Sequence, residues 1–253
     1  MRIRYSLPIF LFFVLVMLAY VLAVEPNGAS VTEISSETTP SGTAGNHSAI
    51  AGNVTEIVIF SEDSVTQSWQ GYYGNVSGGL RIADASDSAL YNWSLASPQG
   101  EVYASTNSSI TWANIQCFNF TAAGNHTTSG EPAGNTSLYG TNLTQLQDSF
   151  NIDATDLDSV NATFSNFNHD AFFAANHEFT ANECRSVQLF TNESASEDGV
   201  FEEVLLYEPV TTSVIFVSIL EDSQKGFDDS NIDFEMLVLE DGHDSDTAST
   251  TYL

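Results

Sequence analysis

The chain has 253 residues, of which 33 are acidic and only 5 basic, for a formal net charge of −28. Phosphates repel such a polyanion, which excludes nucleic acid and anionic membrane surfaces as partners. Its length suits one large β domain or two small ones.

Arg2 and Arg4 form a short basic region ahead of an apolar run from residue 7 to about residue 24, interrupted by Pro8. Val21-Leu-Ala23 has the small-x-small character of a signal-peptidase site. The pattern predicts a secretory signal over residues 1–23 that is removed from the mature chain. A retained anchor is the alternative, because a run of about 18 residues reaches the lower edge of what spans a bilayer. A membrane contact is expected only through this segment. Beyond residue 23 the basic residues are Arg81, Arg185 and Lys225 against 33 acids, a net charge near −30. That charge keeps a chain soluble and opposes self-association unless salt, divalent cations or strong contacts intervene.

Residues 24–53 are rich in Gly, Ser, Thr, Asn and Pro, with scattered Val31, Ile34 and Ile50. They read as an arm or linker. A β domain is expected over 54–240. Strands are predicted at 54–60, within 67–76, at 80–83 after Gly78-Gly79, and at 89–95. Pro98-Gln-Gly100 predicts a turn across which 101–105 pairs back. A short helix is expected at 112–118 and one or two helical turns from Asn142. Thr155 is expected to cap a helix running to Val160, with Asp156 and Asp158 in its first turn. Strands follow at 171–174, 186–190, 200–207, 212–220 and 232–239. The run 212–220 is apolar or small almost throughout, as in a strand buried on both faces. An acidic polar tail is expected over 241–253. Many short strands with little helix point to a mainly β fold, an immunoglobulin-like β-sandwich with a few short helices and a flexible N-terminal arm.

Eleven Asn-x-Ser/Thr sequons begin at Asn46, Asn53, Asn75, Asn92, Asn107, Asn119, Asn125, Asn135, Asn142, Asn161 and Asn192. The motif needs an accessible Asn on a translocated chain. These positions are the expected N-glycosylation sites of an extracellular or cell-surface protein. No sequon follows Asn192, where the most apolar strands stand. Since a branched sugar cannot sit on a packed or polymerising face, the distribution separates coat from contact. Cys117 and Cys184 are the expected disulfide of an exported chain, with two buried thiols as the alternative. Closing that loop of about 68 residues removes roughly 4 kcal/mol of unfolded-chain entropy.

No catalytic pattern emerges. Gly74-Asn-Val-Ser-Gly78 has the wrong spacing for a nucleophile elbow. His177-Glu178 opens like a zinc-protease motif, but position 181 is Ala. Paired carboxylates for glycoside hydrolysis carry no information among so many acids. Asp153, Asp156 and Asp158 bring three carboxylates together, as do the acids at 241–246, and hard cations such as calcium want several oxygens on one loop. The full calcium-loop template is missing, and a helix start and a solvated tail are the respective alternatives. No other cofactor is expected. Trp69, Tyr72, Tyr73, Tyr91 and Trp93 suit either core packing or stacking on sugar rings.

The blocks Gln67-Ser-Trp-Gln-Gly-Tyr-Tyr-Gly-Asn-Val-Ser77, Leu90-Tyr-Asn-Trp-Ser-Leu-Ala-Ser-Pro-Gln-Gly-Glu-Val-Tyr-Ala104 and Phe201-Glu-Glu-Val-Leu-Leu206 resemble secreted archaeal surface proteins. That family is poorly characterised and includes subunits of glycosylated extracellular filaments. The resemblance spans about residues 54–240 and implies a non-enzymatic, β-rich subunit that polymerises with itself in a glycan-coated fibre. The polar arm and the one-sided sequons add an expected assembly mode, in which the segment from residue 24 to about residue 60 joins a neighbour's sheet. Its expected acceptor is a groove lined by Val214, Phe216 and Leu237. A monomeric glycan-binding or adhesion module is the alternative function.

Overall fold

The computed structural model describes residues 25–26, 28–38, 46, 48–57, 65–94, 99–120, 142–189, 200–240 and 249–253. The signal segment therefore lies outside the described residues, as do the sequons at Asn125, Asn135 and Asn192 and the acids at 241–246. Among the described residues no helix is long and apolar enough to cross a membrane.

The fold is mainly β and layered, with small sheets and no closed barrel. Its centre is a five-stranded antiparallel sheet. β4 (Glu101–Ala104) pairs with β10 (Ser213–Ile219), and β10 pairs with β9 (Phe201–Glu208). Two short strands, β5 (Gln116–Cys117) and β8 (Ser186–Leu189), follow one another along the other side of β9. The β-branched residues of β10 and the aromatic and aliphatic ones of β9 favour extended backbone, and strand alternation then sends neighbouring side chains to opposite faces. Phe201, Leu205, Tyr207 and Phe216 enter one core cluster. Val204, Leu206, Ile215, Val217 and Ile219 enter a second. The expectation of a strand buried on both faces therefore holds for β10.

The first cluster is covered by an antiparallel ribbon of β1 (Trp69–Gly74) and β13 (Phe234–Leu239), with α1 (Leu143–Ser149) and α2 (Val160–Thr163) beside it. The second is covered by the hairpin of β6 (Phe172–Ala174) and β7 (His177–Phe179), whose Phe172 and Phe179 rings stack at 4.9 Å. A second hairpin, β2 (Gly79–Ala83) with β3 (Ala89–Ser94), turns through Asp84, whose carboxylate accepts the Ser86 and Ser88 N–H groups at 2.9 Å. Finally β11 (Gln224–Lys225) pairs with β12 (Asn231–Ile232).

Several local expectations give way. Residues 54–57 form no strand and are exposed, and 58–60 lie outside the described residues. β4 pairs with β10 rather than back across the 98–100 turn, because that register lets Val102 and Ala104 pack on the first cluster. Residues 112–118 give a single 3₁₀ turn (Trp112–Asn114) followed by β5. The expected helix after Thr155 is a series of turns instead. Asp153 Oδ1 accepts the Thr155 N–H, and the true helix starts at Val160, capped by Ser159. β7 and β11 stand where no strand was expected. The final described residues, 249–253, lie back against the domain. Leu253 exchanges two backbone hydrogen bonds with Ser105, and Tyr252 packs on Phe216 and donates to the Leu239 carbonyl at 2.8 Å.

Candidate functional site

The expected site residues separate into surface, edge and interior. The sequon residues Asn46, Asn53, Asn75, Asn92 and Asn161 are exposed. Asn107, Asn119 and Asn142 are half-buried. Asn142 caps α1 by accepting the Gln145 N–H at 2.9 Å, while Gln145 Oε1 accepts the Asn142 N–H, a reciprocal capping box. That cap uses only Oδ1, so Nδ2 is not consumed by it. Asn107 differs. Its Nδ2 donates to Ser213 Oγ at 2.8 Å and its Oδ1 accepts the Ser109 N–H, tying the end of β4 to the start of β10.

Cys117 and Cys184 form the disulfide, with Cα atoms 5.2 Å apart. The bridge joins β5 to the segment ahead of β8 and packs in the second cluster. Beside it the buried His169 is held at both ring nitrogens. Nε2 accepts the Cys184 N–H at 2.9 Å and Nδ1 faces the Asp170 carbonyl at 2.8 Å, an arrangement that suits the tautomer donating from Nδ1. His169 is a structural residue here.

The three carboxylates at 153–158 serve the turns they occupy. Asp153 accepts from Thr155, which holds it below the usual carboxylate range, and Asp156 accepts the Asp153 N–H at 2.8 Å. Asp158 accepts from Thr66, and its carbonyl takes the Trp69 indole N–H at 2.7 Å. Among the described residues no three ligating side chains converge as a metal site would require.

Of the aromatics, Trp69 packs inward against Phe164 and Phe216. Tyr72, Tyr73, Tyr91 and Trp93 remain about half exposed. Tyr91 and Trp93 share one face of β3 with ring centroids 4.8 Å apart, and Asn92 points to the other. Around β1 the sequence carries no charge at all, for Asp, Glu, Lys and Arg are absent from 65–80. Among the described residues β1 pairs with β13 alone, which leaves its outer side an open strand edge within that set. Native edges are usually guarded by charge, proline or a bulge. This one has none of the first two.

The expected acceptor residues are more interior than sequence suggests. Phe216 is only 2% exposed, and Val214 and Leu237 pack against the same cluster. β10 has β4 and β9 on its two sides, so it offers no edge. Val214 and Phe216 do line a cleft of about 230 Å³ together with Leu146, Phe150 and Tyr252.

The interior also holds acids that sequence reasoning missed. Glu203 is fully buried on β9 and its Oε2 accepts the Leu237 N–H at 2.7 Å, while Oε1 has no partner among the described residues. Burial pushes its carboxyl well above the usual range, against the opposing effect of that N–H. On the opposite face Glu202 accepts the Asp170 N–H at 2.6 Å. Partial burial, followed by the charges of Asp170 and Glu221, pushes it up to about 7 despite that bond. Glu101 accepts the Phe173 N–H at 3.1 Å and is likewise raised, by burial. These carboxyls pin the β6–β7 layer and the β1–β13 ribbon to the central sheet. The Glu-Glu pair at 202–203 was the only signal, and nothing local says which member faces the core.

Comparison of the chain with protein-family models, with curated proteins and with solved structures finds no match.

Proposed function

We propose that the chain is an exported, N-glycosylated structural subunit that polymerises into an extracellular filament, and that it is not an enzyme. The observation that carries this reading is the pairing, among the described residues, of an open, uncharged edge with a polar arm whose few aliphatic side chains are unpacked. β1 carries the half-exposed Tyr72 and Tyr73 on a strand whose outer edge has no partner among the described residues, in a chain whose net charge is −28. Upstream, Val31, Ile34 and Val54 are more than 90% exposed and Ile50 and Ile57 more than half. Aliphatic side chains of this size gain about 1.5–3 kcal/mol each when fully buried. In the proposed assembly the arm of one copy, centred on residues 54–57, adds beside β1 of the next. Main-chain hydrogen bonds supply affinity and alternate side chains supply register. Such a contact needs no charge complementarity, which suits a polyanion. Sugars on Asn75 and Asn92 would flank the contact.

A second reading has its own support. The exposed Tyr91–Trp93 pair, with a sequon Asn on the opposite face of the strand, fits a monomeric module that binds neutral sugar rings.

Deleting residues 24–57 from the mature protein separates the two. Loss of fibres with an unchanged thermal midpoint is the expected result. Fibres that form normally without the arm contradict the proposed assembly. A chain that stays monomeric in high salt and loses glycan binding on Trp93→Ala favours the second reading.

A further inference from the structure

The chain has three basic residues beyond residue 23, and two of them are paired with acids. Arg81 meets Asp87 and Lys225 meets Asp229. Arg185 has no carboxylate partner among the described residues. Instead its Nη1 donates to Asn161 Oδ1 at 2.8 Å. The guanidinium carbon lies 4.7 Å from the Phe120 ring centroid and 5.9 Å from that of Phe167. Asn161 is exposed and opens the sequon Asn161-Ala-Thr163, and Asn119, another sequon residue, immediately precedes Phe120. Among the described residues this cation therefore stands beside a sugar-attachment amide and no carboxylate, and part of its donor fork meets no anion there.

The chemistry of the modification supplies it. N-glycosylation replaces one Nδ2 hydrogen and leaves Oδ1 as an acceptor, so the Arg185–Asn161 bond survives attachment. The first sugars then start one amide carbon away from the atom that the guanidinium touches. Arg carries five N–H donors in a planar fork, and Asn161 takes one. The remaining fork matches a carboxylate or sulfate. Phe167, 51% exposed, gives a sugar ring an apolar surface beside that fork. Resting on the reading of an exported glycoprotein, we propose that Asn161 carries an N-linked glycan bearing an anionic sugar, a carboxylate or a sulfate ester. Arg185 holds that anion and folds the glycan back over Phe167. The glycan is thereby part of the protein surface rather than a free chain.

The test uses protein secreted by its own source, as wild type, Arg185→Gln, Thr163→Ala (which removes the sequon and keeps Asn161) and the double variant. Mass analysis of the 161 glycopeptide, before and after methyl esterification or desulfation, is expected to show an acidic sugar. Arg185→Gln is expected to lower the thermal midpoint by several degrees in the sequon-intact chain, and by clearly less in the Thr163→Ala background. The difference should shrink in high salt, because the contact is partly exposed. A neutral glycan at Asn161, a bare Asn161 among other occupied sequons, or equal losses in both backgrounds would overturn the proposal and leave the export reading intact. A chain without sugar at any sequon would overturn both.

Discussion

Glu203 on β9 accepts the backbone N–H of Leu237 on β13 at 2.7 Å, from inside the core. The bond explains how the ribbon lies on the sheet without pairing into it. Odd-numbered residues of β13 point their polar backbone groups away from β1, and side chains from the rest of the domain meet them. Glu203 takes Leu237 N–H, Ser218 Oγ donates to the Glu235 carbonyl at 2.8 Å, and Tyr252 donates to the Leu239 carbonyl. One edge of the ribbon is thus sealed inward, and the other, β1, is left open among the described residues.

Glu203→Ala at pH 5 strands a buried donor, at about 1–3 kcal/mol, and adds a cavity. Glu203→Gln keeps the acceptor. The expected order of chemical-denaturation stabilities at pH 5 is wild type and Gln alike, Ala well below. At pH 8 Gln should exceed wild type, since it cannot ionise in the core.

Stability should fall as pH rises. The carboxyls of Glu202, Glu203, Glu101 and Glu221 are all raised in the folded protein. A raised carboxyl means that the folded state holds the proton longer than the unfolded chain. The associated stability is complete below the unfolded value near 4.5 and is lost as pH climbs through the folded one, about 7 for Glu202. Thermal midpoints at pH 5 should exceed those at pH 8, at roughly 2–4 °C for each kcal/mol. Glu202→Gln should flatten the slope between pH 5 and 7. A midpoint that rises with pH contradicts the assignment.

Asn107 is expected to be bare, because it is half-buried and one of its two Nδ2 hydrogens already donates to Ser213 Oγ inside the fold. Ser109→Ala destroys the sequon but leaves that amide, and should change neither mass by a glycan nor midpoint by more than about 0.5 kcal/mol equivalent. Asn107→Ala should cost about 1 kcal/mol. A glycan-sized mass loss in Ser109→Ala would show that the site is occupied.

Cys117→Ser with Cys184→Ser should lower stability by about 2–5 kcal/mol. Wild type should migrate faster without reductant than with it, and the double variant should not.

The strong strands were readable because β9, β10 and β13 are rich in large apolar side chains and bounded by turns, and such runs announce themselves locally. Partners were not readable. β4 follows a plausible turn, yet its register with Phe216–Ile219 is set by residues more than a hundred positions away. Helix starts were legible where a cap and its third-residue partner agree, as at Asn142 and Gln145, and not at Thr155, where Asp153 claims the Thr155 N–H first. The sequons were plain as motifs, but a three-residue pattern cannot say that Asn107 is tied to Ser213. Nor can Glu202-Glu203 say which carboxyl is buried, because the Leu237 N–H that Glu203 accepts comes 34 residues later and β1 comes long before. The lack of sequons after Asn192 has an interior cause as well, since β9 and β10 are the centre of the fold.

Electron microscopy of the protein taken from its own source, carried to side-chain resolution, tests the central claim most directly. The account predicts a fibre in which the arm around residues 54–57 of one copy runs as a strand beside Trp69–Gly74 of the next, with sugar density on Asn75 and Asn92. Dispersed single copies with an empty β1 edge, or a fibre whose contacts leave that edge exposed, would contradict it.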